Sequence, residues 1–164
     1  MSAEATNSLH LNIQPVWEKL DYVRDQITSF LENHKLKSDQ IHALVMTASE
    51  LSENAIKYGA NTPSDKVDIL VDIYPKEIII EVKNKIKKND NEELKKLDEN
   101  IQWIRGFQNQ YEAYMEKLKQ ISAKNLKRGE SGLGLVRISY EGQSILDFYV
   151  NENDILAMSA VYKL

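Results

Sequence analysis

Apolar and polar residues alternate over Ser8–Ile13, and this period of two predicts a short strand. Pro15 suits the first turn of a helix. Val16, Leu20, Val23, Ile27, Phe30 and Leu31 then recur at helical spacing and predict an amphipathic helix over Val16–Asn33. Ser38 reads as the N-cap of a second helix, running from about Asp39 to Tyr58 and stopped at Gly59. Lys66–Tyr74 sets Val67, Ile69, Val71 and Ile73 on one face. Past Pro75-Lys76, Glu77–Lys83 does the same with Ile78, Ile80 and Val82, so the two segments predict a hairpin. Asn91–Ser122 has no proline and predicts one long helix, or a pair broken at Gly106. A helix over Leu133–Glu141 and strands over Gln143–Val150 and Ile155–Lys163 follow, the strands joined by the turn-forming Asn151-Glu152-Asn153-Asp154. This order predicts an α+β two-layer sandwich: a mostly antiparallel mixed sheet with helices on one face. It further predicts a single domain over residues 1–164 with a long helical insert at about 85–128.

Charge and composition narrow the chemistry. A net charge of −4 gives no electrostatic reason to expect non-specific nucleic-acid binding. With no cysteine there are no thiolate ligands, and His10, His34 and His42 are too scattered for a zinc site. The polar stretch Met1–Ser8 has no apolar signal core, and no run reaches the ~20 apolar residues that span a bilayer. The expectation is a cytoplasmic protein without a membrane or nucleic-acid partner.

Two segments carry candidate chemistry. In the second helix Glu50, Asn54 and Lys57 fall on one face, while Leu44, Ala48, Leu51 and Ala55 take the core side. Asn54 offers a carbonyl oxygen suited to Mg²⁺. Glu50, one turn away, is placed to polarise a hydroxyl or water, and Lys57 can meet a phosphate as a point charge. An ordinary amphipathic helix with a Glu–Lys stripe would give the same pattern, and Glu53 is expected to face solvent. The second segment is Arg128-Gly129-Glu130-Ser131-Gly132-Leu133-Gly134-Leu135, which holds half of the six glycines. Glycine lets backbone approach a phosphate, and a helix starting directly after it aims free N–H groups at an anion. Ser131 can add a hydroxyl donor, and Lys127 and Arg128 add positive charge. A structural loop with coincidental glycines is the alternative. No Gly-Lys-Ser/Thr follows, so this is not a Walker loop, and no strand leads into it as a Rossmann turn requires.

Together the segments resemble a known family. Glu50-Leu51-x-x-Asn54-Ala55-x-Lys57-Tyr58 looks like the Asn box of GHKL ATPases, and Gly129-x-x-Gly132-Leu133-Gly134-Leu135 looks like their second glycine box. The resemblance covers most of Asp39–Leu164, with Ser8–Asn33 in the place of the usual first strand and helix. It implies a Bergerat fold that binds ATP with Mg²⁺. The chain's size and Glu50 most resemble the bacterial anti-sigma factor serine kinases. By that resemblance Glu50 is the general base and Asn54 the Mg²⁺ ligand. Gly129, Gly132 and Gly134 form the phosphate cradle, Lys57, Ser131 and Leu133 are further candidates for binding the nucleotide, and Asn84 stands where the family's adenine-binding Asp would be. The partners implied are a STAS-type antagonist protein and a sigma factor or other regulatory protein.

The chain departs from this pattern twice. Where the family carries Asp-x-Gly-x-Gly, this sequence reads Asn84-Lys85-Ile86-Lys87. Asn84 can still accept a hydrogen bond from adenine, but Lys85 and Ile86 bring side chains where the family has none. Beyond it, Leu94, Leu97, Ile101 and Ile104, then Phe107, Tyr111, Tyr114, Leu118 and Ile121, form a coiled-coil-like seam. This stripe packs on the chain's own core, or serves a second copy or a partner with Trp103 and Phe107 as anchors. Two functions follow: an ATP-dependent serine/threonine protein kinase of a partner-switching pathway, or a regulatory module of the same fold with weak or no ATP binding.

Overall fold

The computed structural model describes residues 4–60, 62, 64–88, 90–124 and 132–164. The elements run β1 (Asn7–Ile13), a 3₁₀ turn (Trp17–Lys19), α1 (Leu20–Asn33), α2 (Ser38–Tyr58), β2 (Val67–Ile73), β3 (Glu77–Lys85), α3 (Asn91–Arg105), α4 (Gln110–Lys124), α5 (Leu133–Tyr140), β4 (Ser144–Val150) and β5 (Ile155–Lys163). The sheet order is β1-β2-β3-β5-β4, and all four pairings are antiparallel. The alternation seen in the sequence fixes the register. Leu11 pairs Ile69, Ile69 pairs Val82 and Val82 pairs Met158, which lays one apolar row across four strands. A one-residue slip would turn every such row to the other face.

That face is covered by helices. Val23, Ile27 and Leu31 of α1, Leu44, Ala48 and Leu51 of α2, and Leu135, Val136 and Ile138 of α5 share one buried cluster with the strand rows. Leu44, Ile69 and Ile80 are fully buried, so truncating any of them to alanine would cost about 2–5 kcal/mol. The other face carries His10, Asn12, Asp68, Glu81 and Lys83, linked in part by the Asn12 Nδ2–Asp68 Oδ1 bond of 2.7 Å and the His10 Nε2–Asp68 Oδ1 contact of 2.9 Å. The fold is therefore the expected α+β sandwich.

Several boundaries differ from the sequence reading, each for a local reason. The first helix is preceded by a 3₁₀ turn, so α1 begins at Leu20 rather than Val16. Ser38 is the first helical residue of α2. The cap is Lys37, in extended conformation, whose N–H donates to the Gln40 side-chain oxygen at 3.0 Å. Strand β3 extends past Lys83 because Asn84 and Lys85 pair with Leu156 and Ile155. The segment from Asn91 is the broken pair: α3 closes on Gly106, and α4 starts at Gln110.

The α3 half of the seam packs inward, whereas Tyr111 of the α4 half is exposed. Ile101 and Ile104 are buried in the main cluster, with Leu97, Trp103 and Tyr114 packed against it. Trp103 meets Phe107 edge-on at 4.7 Å and lies under the Lys117 ammonium at 4.6 Å. Arg105 ties α3 to the sheet edge by donating from Nη2 to the Leu146 carbonyl at 2.5 Å. No helix among the described residues is long and apolar enough to cross a membrane.

Candidate functional site

α2 and α5 form one side of the site because they pack unusually closely. At Gly142 an added Cβ would lie 2.4 Å from Thr47 Oγ1 and 2.5 Å from the Ile138 carbonyl, so only glycine fits. This contact holds the chain just past α5 against α2, and the first turn of α5 closes on the middle of α2 at Gly134, where an added Cβ would lie 2.6 Å from Glu50 Oε2. Gly132 caps α5 with φ of +73°, a left-handed conformation that L side chains resist. The beginning of the helix then borders a cavity of about 980 Å³. That volume is at the upper end of the roughly 300–1,000 Å³ typical of small-molecule sites.

Glu50, Asn54 and Lys57 of α2, Asn84 of β3, and Gly132, Leu133 and Gly134 of α5 all line this cavity. Residues that the sequence reading took from three separate elements are thus brought to one opening. Gly129 and Ser131 lie outside the described residues, as do Lys127 and Arg128. Asn54 is half-buried, and Lys57 is exposed with its ammonium 5.1 Å from the Tyr58 ring. Glu53 does not simply face solvent: it is half-buried, lines the cavity, and lies 3.6 Å from Arg24 Nη2. Arg24 is held in turn by Ser49 Oγ at 3.0 Å and Asp21 at 2.8 Å.

The wall on the β3 side is apolar, made by Val82, Ile86, Leu156 and Met158. Asn84 is buried beside it and donates from Nδ2 to the Lys85 carbonyl at 3.2 Å. Of the two side chains expected to intrude here, only one does. Ile86 is buried and lines the cavity, whereas Lys85 is exposed. Strand alternation separates them, since β3 buries Asn84 and turns Lys85 outward.

Glu50 is the most constrained polar group here. Its side chain is 12% exposed, and its Oε1 accepts from Arg137 Nη1 at 2.6 Å. Arg137 Nε also donates to Glu141 Oε2 at 3.1 Å. On the other side, a Cβ on Gly134 would lie 2.6 Å from Glu50 Oε2. The missing side chain at Gly134 is therefore required first by Glu50, not only by an incoming phosphate.

Arg137 and Asn100 are among the cavity residues that escaped the sequence reading. Arg137 had a signal: on a helix beginning at Leu133, positions 134, 137 and 141 share a face. Asn100 of α3 had none. It lines the cavity, and its amide sits about 3.6 Å from where a Gly132 Cβ would be.

The donor set fits a magnesium-bound nucleotide in kind. Asn54 and Glu50 supply hard oxygens, α5 supplies N–H groups at its start, and Lys57 supplies positive charge. Among the described residues no group of three or more His, Asp or Glu could hold a metal alone. A cation here would take most of its ligands from phosphate and water, as Mg²⁺ commonly does.

Comparison with known proteins accords with this geometry. No curated protein matches the chain. Among solved structures, a chain in the crystal structure of the SiaB-SiaC complex from Pseudomonas aeruginosa superposes with a TM-score of 0.71 at 17% identity, covering 93% of this chain and 88% of that one. At that identity the likeness is one of fold. A family model described as the histidine kinase-like ATPase domain matches residues 14–139, most of the chain. The chain belongs to the histidine kinase-like ATPase domain family.

Proposed function

We propose that this protein binds Mg²⁺-ATP and transfers the terminal phosphoryl group to a serine or threonine of a regulatory protein partner. The observation that carries the reading is the convergence of Glu50 and Asn54 with the glycine-capped start of α5 on one cavity. In this reading Asn54 gives its side-chain oxygen to the metal, and Lys57 and the Gly132–Gly134 amides hold phosphate oxygens. Gly129 and Ser131 would complete that cradle. Asn84 accepts from the adenine amino group against the apolar wall. Bound Mg²⁺ neutralises charge on the triphosphate, so the chain's own work is to orient reactants and accept a proton. Glu50 takes that proton from the acceptor hydroxyl.

The partner is proposed on two grounds. The family resemblance implies a STAS-type antagonist protein and a sigma factor or other regulator, and the structural neighbour was solved in a two-protein complex. The resemblance also motivates a cytoplasmic site of action, with residues 85–128 acting as the lid of a single domain over residues 1–164.

Titration of the full chain with Mg²⁺-ATP tests the reading. Binding is expected, weakened roughly tenfold or more by Asn54→Ala, with phosphoryl transfer abolished by Glu50→Gln. No heat of binding with millimolar ATP or ADP would sink it. A second reading, a partner-binding module without turnover, is favoured by Ile86, which fills space where the family has glycine. It predicts partner binding that survives Glu50→Gln and fails when residues 91–122 are deleted.

A further inference from the structure

We propose that Arg137 is the positioning residue for Glu50, an inference that rests on the phosphoryl-transfer reading above. A proton acceptor works only within hydrogen-bond reach of the group that it deprotonates. A glutamate side chain left to itself spreads over several rotamers, and ordering it costs conformational entropy. Here one face of α5 removes that freedom. Arg137 Nη1 donates to Glu50 Oε1 at 2.6 Å, the short distance of a charge-assisted bond. Arg137 is braced from its far side by Glu141, one turn along the same helix, at 3.1 Å. Gly134, one turn before Arg137, closes on Glu50 Oε2 so tightly that a methyl group would overlap it. Gly134, Arg137 and Glu141 thus form a socket that fixes the carboxylate at the cavity wall.

A plain structural ion pair would use the same contacts, and the two roles differ in what they change. A largely buried pair adds little net stability over an apolar replacement of similar size. Loss of orientation instead acts on the chemical step, where a misplacement of about 1 Å can cost about a hundredfold.

The test uses the full chain with Mg²⁺-ATP alone and water as the acceptor, reading affinity by calorimetry and turnover by phosphate release. Arg137→Met is expected to bind Mg²⁺-ATP within about threefold of wild type while kcat falls by between tenfold and a hundredfold. Arg137→Lys keeps the charge but not the fork, and is expected to recover part of that loss. Glu141→Gln, which loosens the brace, is expected to lower kcat several-fold. Turnover of Arg137→Met within threefold of wild type would overturn the proposal. So would equal losses of affinity and turnover, which mark a structural prop. If thermal melts show Arg137→Met unfolded, Arg137→Lys decides on the same criteria. Wild-type protein that neither binds nor hydrolyses Mg²⁺-ATP would instead remove the phosphoryl-transfer reading itself, and this inference with it.

Discussion

Gly134→Ala is the most informative single substitution, because two physical effects predict opposite signs. Gly134 is the second residue of α5 and is not among the glycines with positive φ. Helix propensity alone therefore predicts that alanine stabilises the protein by up to about 1 kcal/mol. The structure predicts the reverse. The new methyl group would lie 2.6 Å from Glu50 Oε2, inside van der Waals contact. Any shift of Glu50 strains its bond to Arg137, which is 2.6 Å long in a largely buried setting. Overpacking of this kind costs about 1–3 kcal/mol, which corresponds to a fall in Tm of roughly 3–10 °C for a chain of this size. Urea denaturation followed by far-ultraviolet circular dichroism, without nucleotide, measures the effect. The decisive background is Glu50→Ala, which removes the obstructing carboxylate. There the same Gly134→Ala change should become neutral or stabilising, giving a coupling energy of about 2 kcal/mol between the two sites. If Gly134→Ala is stabilising in the wild type, or costs the same in both backgrounds, the socket around Glu50 is wrong.

Three further outcomes follow. Gly142→Ala should cost at least about 2 kcal/mol in urea melts. Adding Thr47→Ala should restore only part of it, because the Ile138 carbonyl at 2.5 Å is backbone and cannot turn aside. Arg105→Ala should cost about 1 kcal/mol by freeing the α3–α4 pair from the Leu146 carbonyl, with faster amide exchange in α3 as the readout. At Asp68, burial pushes the carboxyl up, but hydrogen bonds from Asn12 and His10 and the charges of His10 and Lys83 outweigh it and hold it below the usual carboxylate range. A depressed folded value means stabilisation that is fully present above about pH 4, the unfolded value, and is lost as pH falls through the lower folded value. Asp68→Asn should therefore cost up to about 1 kcal/mol at pH 7, given partial exposure, and progressively less as pH falls below about 4; a difference that stays constant or grows on acidification would refute the sign.

Local periodicity carries most of this fold. Val67, Ile69, Val71 and Ile73 alternate because one strand face is buried, and the same residues set the register with β1 and β3. Leu44, Ala48, Leu51 and Ala55 mark the core stripe of α2, which in turn sends Glu50 and Asn54 to the cavity side. Gly132 stands directly ahead of the predicted helix, and there it caps α5 with φ of +73°. These features are legible because each depends on residues within one or two turns of one another.

What the sequence alone left open depends on how distant elements cross. Glu50 and Arg137 are 87 residues apart, and no local pattern encodes that α2 and α5 approach closely enough to pair them. The glycine at 134 looked like a phosphate-contact residue, and only the packed structure reveals that a glutamate side chain occupies the space a methyl group would need. Likewise Asn100 reaches Gly132 only because Ile101 and Ile104 dock α3 into the core. Sequence determined the elements, their buried faces and the set of polar groups available to a site. Tertiary packing decided which of those groups touch, because contact between side chains is set by interhelical distance at ångström scale, and that distance is a property of the whole core.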